Sequence, residues 1–172
     1  MNTMAIVRVT SFTRSRGAAK ATVRYITHRP GNDGLRKTRQ ISGIDGAVNK
    51  EQAYQMIDEA KKGSVFFRFV ISPDPQTEDI RQDLYLQQIT TSTLLTLEDR
   101  LRKEVPFIAV EHTDHTPHRH VHVLACVHGR VNPEDLKALR DRATEASLLQ
   151  RQERDLAYQQ KARTLEEAQW EL

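Results

Sequence analysis

Phe107–Val127 reads FIAVEHTDHTPHRHVHVLACV, two apolar segments joined by a histidine-rich connection. Phe107–His112 and Arg119–Val127 are dominated by β-branched and apolar residues, the pattern of buried strands. Only six residues, Thr113–His118, lie between them, too few for a crossover and suited to an antiparallel hairpin. Side chains alternate along a strand, so His118, His120 and His122 share one face while Arg119 and Val121 take the other. The hairpin then sets His112, at the end of one strand, opposite His120 and His122 near the start of the next. Five of the chain's seven histidines fall within positions 112–122. Three imidazoles on one side of a hairpin make a ligand set for a divalent ion and leave positions open, as a catalytic metal requires. His118 shares the face but lies nearer the loop, so a His118/His120 pair is the alternative to His120/His122. Asp114 is placed to hydrogen-bond a ligand imidazole and fix its tautomer. His115 is expected in the loop, near phosphate.

Outward from the hairpin, Ala5–Phe12 alternates as a first strand, and Gly17–Thr27 carries Ala19, Val23 and Ile26 at helical spacing until Arg29-Pro30-Gly31 ends it. Residues 28–48 are basic and glycine-containing, predicting a loop with one short edge strand near Arg39–Ser42. Asn49 caps a helix over Lys50–Lys62 with Ala53, Met56, Ile57 and Ala60 as its apolar stripe, and Gly63 stops it. Ser64–Ser72 is a strong strand bounded by Pro73 and Pro75. Thr77 then caps a long helix through Lys103, with Ile80, Leu84, Leu94, Leu97 and Leu101 inward. Asn132-Pro133 starts a last helix that continues to the end, with 150–172 an exposed extension or a stalk to a further segment. The prediction is an α+β fold: a central antiparallel sheet of about five strands, helices packed on it, and a long C-terminal helix. Residues 1–133 form the core and 134–172 a helical extension of the same domain.

At 172 residues and 19.8 kDa the chain suits one domain. Its single cysteine, Cys126, excludes an internal disulfide, fits a reducing compartment, and reads as a core thiol on its strand. The first twelve residues, MNTMAIVRVTSF, hold no long apolar run and predict neither signal peptide nor membrane span. A soluble, cytoplasmic protein without membrane insertion is expected. The net charge of +3 conceals an asymmetry. Residues 1–39 hold nine Lys/Arg and one acid, a surplus of +8, so residues 40–172 carry −5. Clustered cations either form a solvated edge or track phosphates, releasing counterions when they meet a nucleic acid. On the second reading Arg24, Arg29 and Arg36 contact DNA.

The His–X–Asp, short loop and His–X–His running into an apolar strand resemble the third motif of plasmid mobilisation relaxases. These belong to the Mob-type branch of the histidine-hydrophobe-histidine (HUH) class of single-strand endonucleases. Tyr25-Ile26-Thr27-His28-Arg29-Pro30-Gly31 is similar to that family's nucleophile motif, and Phe69-Val70-Ile71-Ser72-Pro73 to its middle motif. The three occur in the family's order over residues 5–130. The resemblance implies a relaxase: Tyr25 attacks a phosphodiester of single-stranded DNA at a transfer origin, forms a 5′-phosphotyrosine, and the reaction later reverses to religate the strand. It implies a divalent ion at His112, His120 and His122, Asp114 or a cluster histidine as base, and Ser72 touching DNA. Accessory relaxosome proteins are the further partners implied. Mg²⁺ or Mn²⁺ is the expected ion by abundance, with Zn²⁺ or Ni²⁺ favoured by imidazole affinity.

Among the four tyrosines, Tyr25 sits about 200° around the first helix from Val23, off its apolar stripe. Tyr54 pairs with Ile57, Tyr85 with Ile89, and Tyr158 with Ala162 and Leu165, spacings that predict packing. Three rival functions fit less well. A replication initiator or transposase of the same class carries its tyrosine after the histidine motif, whereas here it precedes. A non-catalytic single-stranded-DNA-binding module has no need of the tyrosine or the open site. A water-activating metallohydrolase lacks its His–Glu spacing.

Overall fold

The computed structural model describes residues 4–31, 33–114 and 118–170. They form an α+β fold whose order is β1 (Ile6–Thr13), α1 (Arg16–His28), β2 (Ile41–Gly43), β3 (Gly46–Val48), α2 (Lys50–Asp58), β4 (Val65–Ser72), α3 (Leu86–Leu101), β5 (Phe107–His112), β6 (His120–Val127) and α4 (Pro133–Trp170). The strands make one six-stranded sheet, ordered β1-β4-β6-β5-β2-β3, with every pairing antiparallel. β6 lies at its centre because Val121–Val127 is apolar on both faces and must be covered on both. On one face, Ala19, Val23 and Ile26 of α1 and Ala53 and Ile57 of α2 pack on Phe66, Ile108 and Leu124. On the other, Leu94 and Leu97 of α3 and Leu139 and Ala143 of α4 pack on Phe69, Ile71 and Val123. Burying each such side chain contributes about 1.5–3 kcal/mol.

The sheet has one strand more than the sequence predicts. Ile41–Gly43 pairs on both sides, with β5 and with β3, so it is interior, and β3 is the edge. Gly46, at φ +117°, makes the tight turn between β2 and β3 that a bulkier residue resists. A three-residue strand that includes this glycine carries too little period-2 pattern to be recognised. Helix α2 ends at Asp58 rather than Lys62, and its start carries the reciprocal cap in which the Asn49 side chain accepts from the Gln52 N–H and Gln52 answers the Asn49 N–H.

The larger correction concerns Thr77–Tyr85, predicted as the start of a helix running to Lys103. Helix α3 begins only at Leu86 and ends at Leu101. Thr77 donates to the Asp74 carboxylate instead of capping, Gln82 is left-handed at φ 52°, and Ile80 faces solvent while Leu84 is buried. Two of its ion pairs, both to arginines distant in sequence, anchor this segment. Asp79, 2 % exposed, accepts from Arg119 Nε at 2.7 Å and Nη2 at 2.8 Å, and Asp83 accepts from Arg151 Nη1 at 2.7 Å. A regular helix with Ile80 inward would turn the Asp79 carboxylate from Arg119 and leave that guanidinium without its anion.

The first half of α4 belongs to the core, where Thr144 Oγ1 accepts from the N–H groups of Met4 and Ala5 at 3.2 and 3.1 Å. Residues 156–170 are exposed. No helix among the described residues is long and apolar enough to cross a membrane.

Asp79→Ala should lower the unfolding free energy by about 3–5 kcal/mol, because Arg119 is left buried without its partner. Ile80→Ala should cost under about 0.5 kcal/mol, as expected of an exposed side chain. Urea denaturation of both variants checks this, and the reverse order of costs would restore the helical reading of Thr77–Tyr85.

Candidate metal centre and active site

Sheet register assembles the histidines. β5 and β6 pair His112 with His120 and Val110 with His122, so His120 and His122 sit opposite and diagonal to His112 on the face that carries α1. The ring centroids lie 5.3 Å (His112–His120), 4.5 Å (His112–His122) and 5.0 Å (His120–His122) apart. One nitrogen from each ring lies within 4.8 Å of the others, a spacing that fits a shared ion. His118 lies outside this group, exposed and before the start of β6. His115 falls outside the described residues.

Hydrogen bonds fix which nitrogen His112 and His120 offer. A carbonyl oxygen can only accept, so the 2.8 Å contact of His112 Nε2 with the Ile26 carbonyl puts the proton on Nε2 and leaves the lone pair on Nδ1. By the same logic the 3.1 Å contact of His120 Nδ1 with the His118 carbonyl leaves the lone pair on Nε2. His122 Nε2 is buried and has no hydrogen-bond partner among the described residues, a state that costs free energy unless something else engages the atom. Burial is the largest cause that pushes His112 down to about 4 and His122 down to about 2, with neighbouring positive charge adding to both. Both rings are therefore neutral near pH 7, as metal ligands must be. The donor set fits a divalent ion with three imidazoles and open positions.

The His112–Ile26 bond also seats the last turn of α1 against β5, with Tyr25 the preceding residue. Tyr25 is 51 % exposed. The Arg68 guanidinium lies 5.2 Å from the centre of its ring, and Arg68 Nη2 lies 3.4 Å from His122 Nδ1. Arg68 thus connects the tyrosine to the histidine cluster. Sequence reasoning missed it, although a charge inside VFFRFVIS was a signal, since only a residue with a polar neighbour belongs there.

Exposure alone does not distinguish the tyrosines. Tyr85 and Tyr158 are exposed, not packed as their spacing predicts, and Tyr158 lies under Arg81 at 4.3 Å. Tyr54 is half-buried between α1 and α2, its hydroxyl 3.2 Å from Arg24 Nη1. Only Tyr25 is joined by a described contact to the residues around the histidines.

Asp114 has a different task from the one expected. It pairs with Lys37 at 3.0 Å and Arg39 at 3.2 Å, and these contacts, Lys37 foremost, hold its carboxyl down to about 2. So strong an acid makes a poor base, and its contacts clasp the basic 29–39 loop to the end of β5. Gly31 is the close approach in that clasp: a Cβ there would stand 2.7 Å from Asp114 Oδ2 and 2.8 Å from Lys37 Cε. Ser72 is also reassigned. It is 5 % exposed and donates to the Arg119 carbonyl at 3.0 Å, so its hydroxyl anchors the entry to β6 and is out of a strand's reach. Arg36 is exposed and Arg29 half-buried. Of the nine basic residues in 1–39, Lys20, Lys37 and Arg39 meet a carboxylate among the described residues, and the other six keep their charge uncompensated.

The lowered His112 and His122 values carry a sign. The unfolded rings, at about 6.5, bind protons that the folded rings refuse, so stability from this pair is present above pH 6.5 and falls as pH drops toward 4. Metal-free protein should unfold at lower urea at pH 5 than at pH 7, and His112→Gln with His122→Gln should flatten that slope. An unchanged slope in the double variant would place the acid sensitivity elsewhere. No family model, curated protein or solved structure matches the chain, so the site is interpreted from its own residues.

Proposed function

We propose that this chain is a relaxase-type endonuclease of the cytoplasm, which nicks one DNA strand through Tyr25 and rejoins it. The observation that carries the reading is the Arg68 bridge, which joins a tyrosine ring, a guanidinium without an ion pair among the described residues and three imidazoles in one site. An exposed phenol has little reason to be held there except as a nucleophile or a stacking surface.

In this reading His112, His120 and His122 would hold a divalent ion, Mg²⁺ or Mn²⁺ by abundance, which when bound draws charge from the non-bridging oxygens of a phosphodiester. The phenolic oxygen of Tyr25 gives its proton to water and forms a bond to phosphorus, as the bond from phosphorus to the 3′ oxygen breaks and that oxygen takes a proton from water. The products are a 5′-phosphotyrosine and a free 3′-hydroxyl. The ester's free energy is kept in the new linkage, so the same residues support the reverse reaction without ATP. The base expected at Asp114 is not assigned, because Lys37 and Arg39 already occupy that carboxylate. Arg29 and Arg36 supply sequence-independent attraction to the backbone, and base-specific contacts at a transfer origin fall to the 29–39 loop.

The test uses single-stranded oligonucleotides that tile candidate transfer origins, denaturing electrophoresis and mass spectrometry. A covalent adduct on the Tyr25 peptide is expected, lost in Tyr25→Phe and in His122→Ala while Tyr25→Phe keeps wild-type folding and strand binding. Free cleavage products with no adduct would replace the tyrosine with activated water. An adduct on Tyr54, Tyr85 or Tyr158 would overturn the assignment. Neutralising Arg29 and Arg36 should weaken binding to every single-stranded sequence and lower the salt slope by about 0.7 per lost phosphate contact. An unchanged slope would make the basic N-terminal third a solvated surface only.

A further inference from the structure

Arg68 projects from the middle of β4, an apolar strand, yet makes no ion pair with a carboxylate among the described residues, and its Nε is buried without a hydrogen-bond partner. Its side chain meets the Tyr25 ring, shares a hydrogen bond with the Tyr25 side chain and, at the long distance of 3.4 Å, reaches His122 Nδ1. Half-burying a guanidinium that has no carboxylate and an unmet Nε is costly unless an anion arrives to complete it. The carboxylate that pairs near these residues, Asp114, is already shared by Lys37 and Arg39.

We propose that Arg68 forms an anion site between Tyr25 and the histidine cluster that takes one phosphate oxyanion of a diester, and that this anion and the divalent ion bind cooperatively. The inference rests on the metal-centre reading above and extends it to a ligand. Two physical effects link the sites. Imidazole ligands bring no negative charge, so a divalent cation enters a field already positive from Arg39 and Arg68, and a bound anion offsets that repulsion. The second effect is a proton position. Arg68 can only donate, so its contact makes His122 Nδ1 an acceptor. Coordination through His122 Nε2 puts the proton on Nδ1 and removes that acceptor. Arg68 then needs another, which the oxyanion supplies. By linkage, whatever the metal gains from the anion, the anion gains from the metal.

Two measurements on the full chain decide this. Titration of metal-free protein with dimethyl phosphate, followed by the Arg68 Nε–H NMR signal, should shift that signal saturably. No shift overturns the anion site whether or not the chain cuts DNA. Calorimetry with Mn²⁺ should then show about tenfold tighter binding in saturating dimethyl phosphate, within the usual range for coupled sites. Arg68→Gln should bind Mn²⁺ no more weakly than wild type without the anion, yet lose the enhancement; Arg68→Lys should keep part of it. An enhancement that persists undiminished in Arg68→Gln, or weaker Mn²⁺ binding by Arg68→Gln without anion, overturns the coupling. A short single-stranded oligonucleotide that saturates far below the dimethyl phosphate concentration identifies a DNA strand as the source. Equal concentrations identify a small free phosphate ester, which keeps the anion site and removes the nuclease.

Discussion

The hydrogen bond from His112 Nε2 to the Ile26 carbonyl joins the two halves of the site. It spends one nitrogen of the ring on the helix and so commits the other to the histidine cluster. It also docks the last turn of α1 on β5, which sets Tyr25 beside the sheet face that carries Arg68 and His122. The apolar contacts of Val23 and Ile26 hold the helix against the sheet, but they are non-directional and tolerate rotation. The His112 bond is what specifies one orientation, so ligand tautomer and tyrosine position are fixed by a single contact.

Charge organises the rest. The end of the sheet that carries the histidines is ringed by Arg29, Lys37, Arg39 and Arg68, and Asp114 is spent on tethering the loop between Lys37 and Arg39. Imidazoles bring no negative charge to such a ring of cations, so the proposed metal gains from an anion bound beside it. A structural metal site closes its coordination with thiolates or a fourth imidazole; this one is built from three imidazoles and lies beside an exposed phenol. The opposite side of the sheet holds its ion pairs apart, Arg119 with Asp79 and Arg151 with Asp83, where they shape the approach to α3 and take no part in the site.

Much of this was legible from the chain itself, for identifiable reasons. Period-2 alternation into an apolar strand was enough to put His120 and His122 on one face, and a six-residue connection was enough to bring His112 to them. The α+β class followed from strands and helices with strong patterns. What failed was decided by contacts distant in sequence. Ile80 and Leu84 have helical spacing, but Arg119 and Arg151 claim Asp79 and Asp83 from forty or more residues away and bend the segment out of a helix. Ser72 looked available before a proline until the Arg119 carbonyl took its proton. Asp114 sat at the right spacing for a histidine partner, and two cations from the 28–48 segment reached it. Arg68 was visible as an anomaly in its strand, but its meaning depended on Tyr25, which is 43 residues earlier in the sequence.

The central claim is that His112, His120 and His122 hold one divalent ion, with His112 bound through Nδ1. Anomalous diffraction at the manganese edge from crystals grown with Mn²⁺ tests it directly. A single peak within bonding distance of His112 Nδ1, His120 Nε2 and His122 Nε2, with the His112–Ile26 hydrogen bond intact, is the expected result. A peak built on His118 in place of His122, coordination through His112 Nε2 with that hydrogen bond broken, or no peak among these residues would contradict it.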